Sequence, residues 1–199
     1  MSQPTAYQKV TNQFDVTEAG VQSLSYLAFD GVDDFMVTGT ITPGVDKAQV
    51  FAGVRKLSDT ARTVLLELSA ISSNPGTFVV FAPSVALNNY AFGSGGTTSV
   101  SVIASGYSSP VTNVLTGIGD IAGDTTTLRI NGAQVATSTT DQGTGNFLAY
   151  PLYLGRRGGT TLPLNGQIYS LITRFGANLD TTAITNTETW VNARTGAYT

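Results

Sequence analysis

Short runs of apolar and β-branched residues recur along the chain, each broken by Gly, Pro or a polar cluster. That spacing predicts an all-β sandwich or barrel. The runs at 48–57 (AQVFAGVRKL), 62–70 (RTVLLELSA) and 76–84 (GTFVVFAPS) read as strands. NNYAFGSGG (88–96) is a weaker strand, whereas TTSVSVIAS (97–105) alternates cleanly. In TTLRINGAQVATS (126–138), Asn131-Gly132 sits between two alternating runs, a strong hairpin signal. PLYLG (151–155) and GQIYSLITRF (166–175) complete the set, the second apolar on both faces and so covered on both sides. Its alternation places Ile168 and Ile172 on one face, with Tyr169, Leu171 and Phe175 on the other.

One helix is expected, at the C-terminus. Asp180 can N-cap residues 181–194 and Gly196 can close them. Ile184 and Val191 share a side, and the adjacent Trp190, the only tryptophan, is expected as the wedge that fixes the helix on the sandwich. Residues 1–22 lack this patterning and read as an N-terminal arm or connection, leaving 23–199 as the domain.

Composition narrows the chemistry. Thirteen acids face ten bases, and charged residues make up 12% of the 199. This is not the basic footprint of a nucleic-acid binder. Without cysteine or histidine, thiolate metal sites, disulfides and the commonest general base are excluded. No run approaches the ~20 apolar residues of a membrane helix, so membrane insertion is not expected.

The stretch LSYLAFDGVDDFMVTG (24–39) holds Asp30, Asp33 and Asp34 within five residues. Three carboxylates so placed can ligate calcium, but the EF-hand spacing with its closing glutamate is missing. The favoured reading is a tight turn between strands 24–29 and 34–38, with Gly31 at positive φ and the aspartates bonded to nearby backbone. No cofactor is therefore expected, and calcium is possible but not favoured. GIGDIAGD (117–124) lacks the Lys-Ser/Thr of a phosphate loop and reads as a turn-rich connection.

Several motifs follow in order: LAFDGVDDFM, LRINGAQVATS, LYLGRRGG, LNGQIYSLITRF and TNTETWVNARTGAY. Over residues 24–199 this series resembles the concanavalin A-like lectin/glucanase superfamily, in its laminin-G-like branch. More narrowly it is similar to modules of bacteriophage tail and other virion proteins. The resemblance implies a two-sheet antiparallel jelly roll, in agreement with the strand reading. It also implies a virion location on tail or capsid surface, other virion proteins as partners, and a homo-oligomer.

Glucanases of that superfamily carry a Glu-x-Asp-x-x-Glu strand, which holds two carboxylates about 5–5.5 Å apart. The glutamates here are Glu18, Glu67 and Glu188, and none has an acid at that spacing. The expected function is therefore non-catalytic: a host-surface glycan-binding module of a phage tail fibre or spike. The alternative is a structural capsid or tail decoration protein; glycoside hydrolysis ranks below both. Candidate ligand residues are Tyr90, Phe92 and Tyr107, which lie in Gly/Ser-rich segments, and Arg156 and Arg157 in the flexible GRRGGTTLP (155–163). Arginine forks bind carboxylates and phosphates, although exposure or pairing with neighbouring acids is the commoner role. Long Gly/Ser/Thr loops at 93–109 and 140–150 would supply a recognition surface.

Overall fold

The computed structural model describes residues 24–85 and 87–199, together with the backbone of Tyr7–Val10. Its strands are β1 (Tyr7–Val10), β2 (Leu24–Asp30), β3 (Met36–Ile41), β4 (Lys47–Lys56), β5 (Val64–Leu68), β6 (Thr77–Phe81) and β7 (Asn89–Gly95). They continue with β8 (Ser99–Ser105), β9 (Val111–Asp120), β10 (Thr125–Ile130), β11 (Ala133–Ser138), β12 (Tyr150–Leu154) and β13 (Asn165–Phe175), and the helix α1 (Thr181–Asn192) follows. Seven strands form one sheet in the order β1-β2-β13-β4-β9-β10-β11, and six form the other in the order β3-β12-β5-β6-β7-β8. All neighbours among the described strands are antiparallel. This is the expected all-β jelly-roll sandwich with a C-terminal helix packed on it.

Period-two alternation builds the core. Val50, Ala52 and Val54 of β4 face Leu66 and Leu68 of β5, Phe78 and Val80 of β6, and Tyr90 and Phe92 of β7 in one buried cluster. Each large side chain buried there contributes about 1.5–3 kcal/mol before entropy is charged. On the outer face of the seven-stranded sheet, Phe51 and Val114 meet Val191 of α1, with Ile172 and Ile184 beside them. Asp180 caps the helix by accepting from the Ala183 N–H at 2.8 Å. Both faces of β13 are therefore covered, as its sequence demands.

Three local expectations are corrected. A register shift between Ile168 and Ser170 puts a bulge in β13. The extra residue reverses the alternation, so Ile168, Leu171 and Phe175 share the core while Ile172 lies under the helix. The Asp30 turn lies between two strands as expected, and it carries the chain from one sheet to the other. Half of the connection expected at 117–124 is the end of β9, and only Ile121–Asp124 form the turn into β10. Residues 93–109 are mostly the paired strands β7 and β8 rather than loop.

The 140–149 loop is real but packed, with Gln142 and Phe147 fully buried. Gln142 accepts from the Ser94 hydroxyl at 2.8 Å and donates to the Asp120 carbonyl at 2.9 Å. The arm expected at 1–22 lies largely outside the described residues; its Tyr7–Val10 backbone pairs with β2.

Candidate functional site

The segment after β12 leaves the sheet at Gly155 and returns at Leu164, whose N–H closes the neck by donating to the Gly155 carbonyl at 2.7 Å. Between them, 155–163 form a strap over the outer face of the six-stranded sheet. Its tip turns through Gly158 and Gly159, at φ +54° and +69°, where side-chain-bearing residues are disfavoured. The strap is pinned in two places. The Val64 N–H donates to the Leu162 carbonyl at 3.0 Å, and the Leu162 side chain packs on Val64, Val79, Phe81 and Ala91. Leu162 itself is held at φ +54°, so the packing overcomes a backbone cost of about 1 kcal/mol or more.

The second pin is ionic. Arg157 Nη2 reaches Glu67 Oε1 at 2.9 Å and its Nε lies 3.0 Å from Oε2, with a further bond from Nη2 to Ser72 Oγ at 2.8 Å. Glu67 is fully buried and the Arg157 side chain is 14% exposed. Burial pushes the Glu67 carboxyl up from its ordinary value, and the Arg157 hydrogen bonds pull against that shift. Phe81 lies beneath two guanidiniums, Arg62 at 4.0 Å and Arg157 at 5.6 Å from its ring centre. Burial and the nearby Arg157 lower the Arg62 pKa, while Glu67 raises it. Arg62 forms no ion pair among the described residues.

Arg156, the strap's other arginine, donates to the Asp33 carbonyl at 3.2 Å and to the Thr160 carbonyl at 2.9 Å. It thereby ties the strap to the aspartate turn. There, ligand oxygens of Asp30, Asp33 and Asp34 lie within 4.8 Å of one another. Two of these carboxylates hold the turn. Asp30 Oδ1 accepts from the Val32 N–H at 2.7 Å, and Asp34 Oδ2 accepts from the Asp30 N–H at 3.1 Å. Gly31 sits between them at φ +82°. Oxygen ligands at that spacing suit a hard cation such as calcium, but two of the three acids are already engaged with their own backbone.

Two of the three aromatic candidates are corrected. Tyr90 and Phe92 are fully buried and face the sandwich interior. Burial raises the Tyr90 pKa, and its hydroxyl accepts from Asn113 Nδ2 at 3.2 Å. Tyr107 packs against Tyr90 with ring centres 5.5 Å apart. Neither Tyr90 nor Phe92 offers an open face of the kind a sugar stacks on, whereas Tyr107 is partly exposed. Trp190 is 46% exposed and stacks under Arg194 at 3.5 Å, so it is not the wedge; Val191, fully buried, takes that role. Asn131-Gly132 makes the turn between β10 and β11, and the Asn131 amide is tied to Val114 N and Asn113 Oδ1, each at 2.8 Å.

Reading the sequence singled out Arg156 and Arg157 but missed Arg62, Phe81 and the Glu67 partnership. One signal was available: Glu67 lies inside an apolar strand and needs a cation. The neighbouring arginine-bearing loop supplies it.

No protein-family model and no curated protein sequence matches the chain. Solved structures do. A native heptameric SAP-like pentraxin from Limulus polyphemus aligns at a TM-score of 0.62 and 12% identity, over 81% of this chain and 80% of that one. The CBM40 of the Ruminococcus gnavus IT-sialidase, bound to α2,3-sialyllactose, aligns at 0.56 and 16%, over 75% of this chain and 97% of that one. The binding domain of botulinum neurotoxin serotype D aligns at 0.62 and 12%, over 83% of this chain and 42% of that one. At these identities the likeness is one of fold: the chain is built as a two-sheet jelly roll.

Proposed function

We propose that the chain is a non-catalytic carbohydrate-binding module of a virion, carried on a phage tail fibre or spike and directed at host-surface glycans. The observation that carries the glycan reading is the fold, shared with a module bound to sialyllactose. The strapped face of the six-stranded sheet, with its arginines on Phe81, supplies a preformed polar surface for such a ligand. The virion context rests on the order of sequence motifs across residues 24–199. The absence of catalysis is supported by the glutamates. Glu67 faces outward from the six-stranded sheet, and Glu188 sits on the helix outside the other sheet. The sandwich separates them, and each is bound to an arginine, Glu188 to Arg129 at 2.8 Å. Neither is free to act as the paired acid and nucleophile of a retaining glycosidase.

A glycan microarray probed with the intact protein tests binding, followed by titration calorimetry and reducing-end release on each glycan retained. Retention of bacterial surface glycans without release is expected. Retention of none, together with no binding to host cells, overturns the carbohydrate reading; release of reducing ends overturns the non-catalytic one.

A further inference from the structure

We infer that the cleft beside Arg62 takes an acidic sugar, with the sugar's carboxylate on the Arg62 guanidinium. This rests on the carbohydrate reading above and names the ligand class. The charges that face Arg62 are Arg157 and Glu67. Glu67 is consumed by Arg157, which closes on both its oxygens. Two guanidiniums therefore share one carboxylate, and the uncompensated positive charge resides on the more exposed Arg62.

Three further acids are committed elsewhere, and the Asp33 carboxylate is exposed to solvent. Asp59 lies 2.5 Å from the buried Lys56 ammonium and accepts from the Ser109 N–H at 2.6 Å. Asp30 and Asp34 accept from backbone within their own turn.

Phe81 holds the guanidinium over its ring at 4.0 Å, so the planar fork is partly ordered before any ligand arrives. The cleft itself has a volume of about 120 Å³ and is lined by Ser58, Thr60, Ala61, Arg62, Pro163 and Asn165, among others. Ser58 and Thr60 hydroxyls lie 2.9 Å apart and, with the Asn165 amide, can exchange hydrogen bonds with ring hydroxyls. Ala61 and Pro163 offer small apolar surfaces to the ring carbons. The volume is below the ~300 Å³ of pockets that enclose a whole drug-sized ligand, so it suits one terminal residue of a chain. A carboxylate matches a single guanidinium fork in plane and in charge, which a neutral hexose does not.

The test compares a uronic-acid-terminated oligosaccharide with its carboxyl-reduced neutral counterpart, titrated into wild type, Arg62→Ala and Arg62→Lys. Inorganic phosphate and sulfate serve as competitors. Wild type is expected to prefer the acidic oligosaccharide by at least about tenfold, the scale of one charge-assisted hydrogen-bonded pair. Arg62→Ala should abolish the preference while leaving the melting temperature unchanged, and Arg62→Lys should keep part of it. Equal affinity for acidic and neutral sugars overturns the acidic assignment but leaves the carbohydrate reading standing. An Arg62→Ala variant that folds and retains the preference overturns the site. Competition by inorganic phosphate as strong as by the uronic acid makes it a general anion site and overturns the sugar assignment. Binding of neither oligosaccharide, with microarray retention of other glycans, likewise rejects this inference alone.

Discussion

Glu67 is where strap and sheet meet, and its partner can be removed cleanly. Arg157→Ala leaves a buried carboxylate unpaired, which costs about 3–5 kcal/mol. Urea unfolding should show that Arg157→Ala with Glu67→Ala costs less than the two singles added, by about 0.5–3 kcal/mol. Strict additivity would mean that the pair does not hold the strap. The pH dependence has a definite sign. Burial raises the Glu67 pKa above its ordinary 4.5. Its protonated form is therefore favoured by the fold, and the associated stability is fully present below 4.5 and lost as pH rises through the folded value. The stability of wild type relative to the permanently neutral Glu67→Gln should therefore fall as pH rises from 4.5 to the folded value and level off above it, and a rise over that window would contradict the assignment. At the aspartate turn, Gly31→Val combines a positive φ with a Cβ only 2.9 Å from the Asn165 Cβ, so it should cost about 1–3 kcal/mol or more. Asp33→Asn should be neutral because its side chain is exposed, and Asp34→Asn should cost little because an amide oxygen still accepts from Asp30 N. Thermal melts with millimolar calcium and with chelator should superimpose. A calcium-dependent rise lost in both Asn variants would instead make the turn a metal site.

Among the elements, α1 offers the sharpest contrast between neighbours. Val191 is fully buried against Phe51 and Val114, whereas Trp190 is 46% exposed. Val191→Ala should destabilise by about 2 kcal/mol, from lost transfer energy and the cavity left behind. Trp190→Ala should cost well under half of that, as surface changes do. The reverse order in a denaturant titration would mean that the helix is held by its aromatic rather than its aliphatic side. The helix and most strands were legible because their apolar periodicity and caps are local. The central strands were harder to read because their glycines answer to the opposite sheet. A Cβ at Gly117 of β9 would overlap the Phe92 ring, and one at Gly119 would meet Ser94 at 2.7 Å. Residues that looked like loop are thus the positions where the two sheets approach closely. Tyr90 and Phe92 were misread for the same reason, as their Gly/Ser-rich surroundings are a close-packed core strand. The bulge at Tyr169 has no sequence signal of its own, and a single added residue exchanges the faces of Leu171 and Ile172. Within the site, the arginine-bearing strap was visible as a loop. The contact of Arg62 with Arg157 over Phe81 was not, because it depends on three segments far apart in sequence.

For the whole molecule, the separation of the two sheets' outer faces sets what a single copy can do. Helix α1 lies on one face, and the strap lies on part of the other. The cleft proposed above for recognition has a volume of about 120 Å³. A cleft that engages one terminal sugar gives a weak single contact, whereas linked copies gain about 10²–10⁴ in avidity with no new contact. The working form is therefore expected to be a symmetric oligomer or an array on a larger particle, with residues 1–22 contributing contacts between copies. Light scattering on the full chain and on a Δ1–22 variant measures this directly. The Δ1–22 deletion also strips β1 from the edge of β2, so a Δ1–6 variant, which keeps that pairing, separates loss of the arm from loss of the edge strand. Oligomers for the full chain, with binding to immobilised glycan falling far more than binding to the same glycan free in solution upon truncation, is the expected pattern. Monomers throughout, with truncation changing neither stability nor incorporation into particles, would leave the arm without a role and make one weak cleft answer for all of the binding.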